Sequence, residues 1–222
     1  PRLWASSTGA MRVHGLNLTY IINLPPVLLE DLPDKHFPED TFASRLVDLE
    51  EYFWDDWDDG NLRFEVLFES DPARIRATVD GRFLGFSAQT KFWHGSGSFR
   101  VRAFDSGRLW AQSNLFNITV DHVNHPPVLE PVPDQRVDVG DQLYFRARAT
   151  DPDNDTLFFK SDDSRFPLLP LVGEQNTAFV RYQAKRPGRV ALNVTVEDGF
   201  GGSDTQLVNI RIRDKTSTAT FD

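Results

Sequence analysis

The 222-residue sequence contains no cysteine. That excludes disulfides, thiolate-bound zinc, iron–sulfur clusters and a thiol nucleophile. It has no run of about 18 or more apolar residues, so no segment reads as a membrane-spanning helix. The chain opens at Pro1, without the charged and apolar regions of a signal peptide. It is therefore expected to be a fragment or a processed chain, with any signal or anchor outside it. Glycine and proline, 14 each, sit near average usage, which excludes collagen and low-complexity chains. Positive charge is in deficit, since 24 Lys and Arg face 33 Asp and Glu for a net charge of −9. Nucleic acid and anionic membranes are accordingly not expected partners. With 18 Phe and 5 Trp the chain has enough apolar bulk to exclude disorder.

What is present is aspartate, 24 residues against 9 Glu. Asp favours turns and caps over helix interiors, so the excess points to β structure. It also points to hard cations, because Ca²⁺ takes carboxylate and carbonyl oxygens. A repeat supports the first inference. Pro25-Pro26-Val27-Leu28 recurs as Pro126-Pro127-Val128-Leu129, and Leu32-Pro33-Asp34 as Val132-Pro133-Asp134. The acidic segment from Asp56 to Phe64 aligns with that from Asp151 to Phe159, and Asp105-Ser106-Gly107 with Asp198-Gly199. The order is the same in both halves, so residues 25–124 and 125–214 read as duplicated domains. Leu16-Asn17-Leu18-Thr19-Tyr20 resembles Phe116-Asn117-Ile118-Thr119-Val120. Residues 1–24 thus read as the terminal strand of a preceding repeat or a linker, and 215–222 as a tail.

Apolar and polar residues alternate over 62–68, 99–104, 143–150, 179–184, 190–196 and 206–212. Period-two alternation predicts half-buried strands, and Gly- and Asp-rich turns separate them. An all-β sandwich is expected. One stretch competes: Phe42, Leu46, Leu49 and Phe53 have near-helical spacing behind Asp40-Thr41. By its place in the repeat it is expected to be a strand with at most one helical turn.

Four segments of the second half carry a family resemblance. They are Pro126-Pro127-Val128-Leu129 through Gln135, Val139-Gly140-Asp141, Ala149 through Leu157 with its Asp-Pro-Asp-Asn-Asp run, and Val194-Thr195-Val196-Glu197-Asp198-Gly199. Together they resemble the cadherin-like, dystroglycan-type Ig domain. Residues 25–124 resemble a related tandem repeat, marked by Glu39-Asp40-Thr41, Asp48-Leu49, Tyr52-Phe53 and Asp56-Trp57-Asp58. The resemblance implies tandem Ig-like (cadherin-like) Greek-key β-sandwiches on secreted or surface proteins, many with calcium at the joints and few with enzymatic activity.

Acidic residues two apart in a turn can converge on one ion, although the glycine and glutamate of an EF-hand are absent. By similarity to cadherins, Asp56 and Asp58 would meet Asp105, and Asp151 and Asp153 would meet Asp198, as calcium ligands; Asp155, in the same acidic run, is a further candidate ligand. Linker residues Asp121, Asn124 and Asn23 would add oxygens, and Glu39 resembles the early cadherin glutamate. The linker Asp121-His122-Val123-Asn124-His125 departs from the cadherin pattern, with Val123 and His125 where Asn is expected. His122, His125 and Asp121 lie on one extended segment and are too few to close a zinc site, so a solvated linker is expected there. His14, His36 and His94 are scattered, and no catalytic motif is recognisable.

Trp54, Trp57, Trp93 and Trp110 all fall in the first domain. Trp is highly buried on average, so core packing and loop plugging are expected ahead of sugar stacking. N-x-Ser/Thr sequons occur at Asn17, Asn117, Asn154 and Asn193. A glycan on Asn154 would compete with calcium for room. The expected function is a non-enzymatic extracellular adhesion or spacer module with calcium-stiffened joints. Its partners would be other protein domains or surface glycans, with homophilic association. The alternatives are a carbohydrate- or protein-binding accessory module, or a structural subunit of a surface layer or filament in which residues 1–24 complete a neighbour's sheet.

Overall fold

A computed structural model describes residues 8–13 and 16–215. The chain divides between Val123 and Asn124 into two compact units. The first holds β1 (Thr8–Val13), β2 (Leu16–Ile21), β3 (Val27–Leu28), β4 (Lys35–Pro38), β5 (Phe42–Asp48), β6 (Phe53–Trp54), β7 (Arg63–Glu69), β8 (Ile75–Asp80), β9 (Phe83–Ala88), β10 (Gly95–Phe104), β11 (Trp110–Gln112) and β12 (Phe116–Asp121). The second holds β13 (Val128–Leu129), β14 (Gln135–Asp138), β15 (Gln142–Thr150), β16 (Phe158–Ser161), β17 (Leu168–Pro170), β18 (Thr177–Gln183), β19 (Gly188–Glu197) and β20 (Ser203–Arg213). The six strands expected from alternation are all present, with ends shifted by a few residues.

Each unit is a two-sheet sandwich. In the second, one sheet runs β13-β15-β18-β17 and the other β14-β20-β19-β16. The opening segment serves both: β13 lies antiparallel on β15, and β14 lies parallel to β20. Alternation drives the packing. Leu143, Phe145, Ala147 and Ala149 face inward from β15, against Leu192, Val194 and Val196 of β19 and Val208, Ile210 and Ile212 of β20. The first unit repeats this plan. One sheet joins β7 to β10, then β11 and β12, with β4 parallel to β12, and the other runs β5-β9-β8. Its core is richer in phenylalanine than the second, with five buried Phe against two. Phe86 stands edge-on to Phe99 and Phe116, with ring centroids 4.9 and 6.4 Å away.

Repeat-matched polar residues fasten the same seams. Asp34 accepts the Asn117 amide at 2.7 Å, and Asp134 accepts that of Asn209 at 2.9 Å. Their occurrence in both halves therefore has a structural cause. Phe42–Asp48 is strand, and a single 3₁₀ turn, Leu49–Glu51, follows it with Asp48 as its cap. Asp40 caps no helix; at φ 56° it accepts the Phe92 amide at 2.9 Å. β1 and β2 pair with each other as an antiparallel hairpin. His14, the side chain of Asn17 and residues 216–222 lie outside the described residues.

Candidate functional site: two acidic turns

β15 ends at Thr150 and the chain enters a tight acidic turn. Asp151 Oδ1 accepts the amides of Asp153 at 2.9 Å and Asp155 at 3.3 Å, and Asn154 takes φ 62°. A short side chain that binds the backbone two residues on is what closes such a turn. It leaves Asp151 Oδ2 buried with no hydrogen-bond partner. Asp151, Asp153 and Asp155 each offer an oxygen, and these lie within 4.8 Å of one another. Asp153 Oδ2 accepts the His125 amide at 2.6 Å, and its Oδ1 faces His125 Nδ1 at 3.0 Å.

Asp198 is only 2% exposed. Its Oδ1 accepts the amides of Phe200 at 2.7 Å and Gly202 at 3.0 Å. Its Oδ2 accepts Asn124 Nδ2 at 2.8 Å. The Asn124 amide, and then the Phe200, Gly202 and Gly201 backbone, hold this carboxyl below the usual carboxylate range, against the opposing effect of desolvation. Asn124 is thereby fixed with its Oδ1 buried and unmatched. Gly202 is required by close approach, because a Cβ there would collide with Asp198 Oδ2 and lie 2.8 Å from Pro126 Cα.

The first unit builds the same corner from different residues. Val27 pairs with Trp54 and Leu28 with Phe53, as Val128 pairs with Thr150 and Leu129 with Ala149. Registered on the Pro-Pro-Val-Leu segments, Asp55 occupies the place of Asp151. The sequence alignment that put Asp56 there is therefore one residue out. Asp55 is 1% exposed, and its Oδ1 accepts the amides of Trp57 at 2.9 Å and Asp58 at 2.8 Å. Asp55 Oδ2 and Asp56 Oδ1 are buried without hydrogen-bond partners. Asp58 Oδ2 accepts the Ser106 amide at 2.8 Å and hydroxyl at 2.7 Å, tying this turn to the Asp105 turn. Asp105 accepts the Leu109 amide at 2.7 Å and Asn23 Nδ2 at 2.9 Å, and Asn23 Oδ1 is left buried and unmatched.

Two sequence-flagged residues lie elsewhere. β10 runs from Gly95, opposite Val120, to Phe104, next to Asp105. Asp121 and Glu39 therefore sit at the end of the first unit away from its acidic turn. Asp121 Oδ2 meets His36 Nδ1 at 2.6 Å. Glu39 is buried, and its Oε1 accepts the Val123 amide at 2.7 Å and faces His122 Nδ1 at 2.8 Å. The segment expected to be a solvated linker is thus engaged: His122 faces Glu39, and His125 faces Asp153.

Trp93 packs on the first unit's core, as expected. Trp57 and Trp110 do not, at 58% and 50% exposed. Arg102 holds its guanidinium 5.0 Å from the Trp110 ring centroid. Asn117, Asn154 and Asn193 are exposed. Among the described residues no helix is long and apolar enough to cross a membrane.

Residues 124–211 match the family model of the bacterial Ig domain. The chain is a tandem of Ig-like β-sandwiches. The family model covers the second unit; the first shares its orders β4-β12-β10-β7 and β5-β9-β8, with β11 added on β10 and β3 paired on β6 as a separate sheet. Among solved structures, the human CDH23 EC21-23 fragment is similar at 10% identity over 86% of this chain and 70% of that one, with a TM-score of 0.49. The titin Z1Z2 domains in complex with telethonin are similar at 16% over 88% of this chain and all of that one, with a TM-score of 0.41. An endo-fucoidan hydrolase of glycoside hydrolase family 107 is similar at 16% with a TM-score of 0.34, and this chain spans about a third of its length. No curated protein matches the sequence.

Proposed function

We propose that the chain is a non-enzymatic, extracellular or cell-surface module whose two Ig-like units each bind calcium at the acidic turn. One observation carries this reading. Buried side-chain oxygens without hydrogen-bond partners gather at the matched corner of both units: Asn23, Asp55 and Asp56 in the first, Asn124 and Asp151 in the second. Buried polar groups are nearly always satisfied, and these are acceptors, so the missing partner is a donor or a cation. Clustered carboxylates favour the cation. Calcium–oxygen bonds of about 2.3–2.6 Å put ligand oxygens within about 5 Å of one another, as in the Asp151, Asp153 and Asp155 group.

In the second unit, Asp151, Asp153, Asp155 and Asn124 Oδ1 would hold the ion, and Asp198 would position Asn124. In the first, Asp55, Asp56, Asp58 and Asn23 Oδ1 would hold it, and Asp105 would position Asn23. When bound, calcium neutralises carboxylates that otherwise repel one another and fixes the segment that enters each sandwich. Such a module extends and stiffens a longer surface protein. Exposed Trp57 and Trp110 supply contact surface for other protein domains or glycans.

Calorimetry of the chain in EDTA and in rising calcium tests this. A ligand at a hundredfold excess over its Kd stabilises by about 2.7 kcal/mol, which raises the melting temperature by several degrees. D151N removes the calcium shift of the second unit and D55N that of the first. Superimposable melting curves with and without calcium would overturn the proposal.

A further inference from the structure

The first unit holds a second cluster, at its other end, of different chemistry. β10, β12 and β4 are neighbours in one sheet. Gly95 pairs with Val120, and Pro38 with Asp121. His94, His122 and Glu39 each lie just beyond these paired positions, so three hydrogen-bonded strands bring them to one edge. Each offers one atom, and these atoms lie within 4.8 Å of one another. His122 Nδ1 is 2.8 Å from Glu39 Oε1 and His94 Nδ1 is 3.9 Å from it. The two imidazoles are 4.6 Å apart at 54°, inclined about the carboxylate rather than stacked flat.

Hydrogen bonding does not account for this arrangement. One proton serves the 2.8 Å contact, but 3.9 Å is beyond hydrogen-bond range. The Glu39 side chain is fully buried, and its Oε2 has no hydrogen-bond partner. Burying a carboxylate with an unmatched oxygen is costly. We infer that Glu39, His94 and His122 form a binding site for a borderline divalent transition ion such as Zn²⁺.

The donor set selects the metal. Two imidazole nitrogens and one carboxylate suit Zn²⁺, Ni²⁺ or Cu²⁺, whereas Ca²⁺ takes an all-oxygen shell. Metal–ligand bonds of about 2.0–2.1 Å in a tetrahedron separate the ligand atoms by about 3.3 Å. The observed 2.8 and 3.9 Å lie on either side of that value, so side-chain shifts of about half an ångström close the site. His94 and His122 are 55% and 42% exposed, which leaves water access to a fourth position. Glu39 also accepts the Val123 amide, so the ion would anchor the chain where it leaves the first unit. The site is independent of the acidic turns and stands whether or not those bind calcium.

Isothermal titration of the whole chain with ZnCl₂, in saturating calcium at neutral pH, tests the assignment. One Zn²⁺ should bind per chain, with affinity at least tenfold lower in H94A and in H122A, whose exposed side chains can be removed without loss of fold. Circular dichroism checks that fold. E39Q, at a buried position, is read only if its spectrum is unchanged, and it should then weaken binding to the same degree. Absence of Zn²⁺ binding, or wild-type affinity in the H94A/H122A double variant, would overturn the site.

Discussion

The two Ig-like units solve one packing problem with two compositions. Each must hold an Asn at its entry and a buried Asp beside it, and each does so with an Asn-to-Asp hydrogen bond, Asn23 to Asp105 and Asn124 to Asp198. Around that common bond they diverge. The second unit threads Gly202 under Asp198 and clamps Asp153 on His125, whereas the first ties Asp58 to Ser106. The cores diverge in the same way, Phe-rich in the first and Val- and Ala-rich in the second. The lesson is that strand register preserves the corner while side chains on either side of it are free to change.

The largest expected break in this comparison is in the cores. Phe86→Ala removes a fully buried ring that touches two others, at a cost of about 3–5 kcal/mol. Val180→Ala, in the fully buried core of the second unit, deletes two methyls at about 0.8 kcal/mol each plus a small cavity, about 2 kcal/mol together. Each unit has its own core, so urea unfolding should show each variant shifting the transition of its own unit alone. A common shift would show that the two cores unfold as one.

A smaller effect separates the two corners. A methyl group at Gly202 meets the Pro126 backbone as well as Asp198, and neither can retreat freely. At Gly107 the nearest atom is Asn23 Nδ2, 2.5 Å from the added carbon, and no backbone atom lies as close. Gly202→Ala should therefore cost about 1–3 kcal/mol, and Gly107→Ala under about 1 kcal/mol. Thermal melting of the two variants in calcium checks this, and equal losses would show that the corners are equivalent after all.

These differences set what could be read from sequence. Period-two alternation in β15 or β19 is a local signal, so strands and the sandwich were legible. The acidic turns were legible as turns, because Asp beside Gly or Asn has few other uses. Their register was not. The run Asp55-Asp56-Trp57-Asp58-Asp59 offers several alignments to Asp151-Pro152-Asp153, and only the pairing of Phe53 and Trp54 with the Pro-Pro-Val-Leu strand selects Asp55. The Glu39, His94 and His122 cluster was illegible for a related reason. Its members are far apart in the chain, and it exists only through the ends of three strands paired across one sheet. Trp57 and Trp110 misled because average burial says nothing about a particular turn.

The smallest expected effect concerns protonation at the second corner. Asp198 is held below the ordinary aspartate pKa of about 3.9, first by Asn124 and then by backbone amides. A carboxyl with a depressed folded-state pKa adds stability above its unfolded pKa, and that stability is lost as pH falls through the folded value. Asn124→Ala removes the largest cause and moves the folded pKa back toward the ordinary one. The variant should therefore be less stable than the parent at pH 7, and the two should converge as pH falls below about 4. Urea unfolding in EDTA across pH 2–7 measures the difference without calcium. A gap that stays constant with pH would mean that Asn124 acts by packing alone, and that the amide does not hold the carboxylate in its charged form.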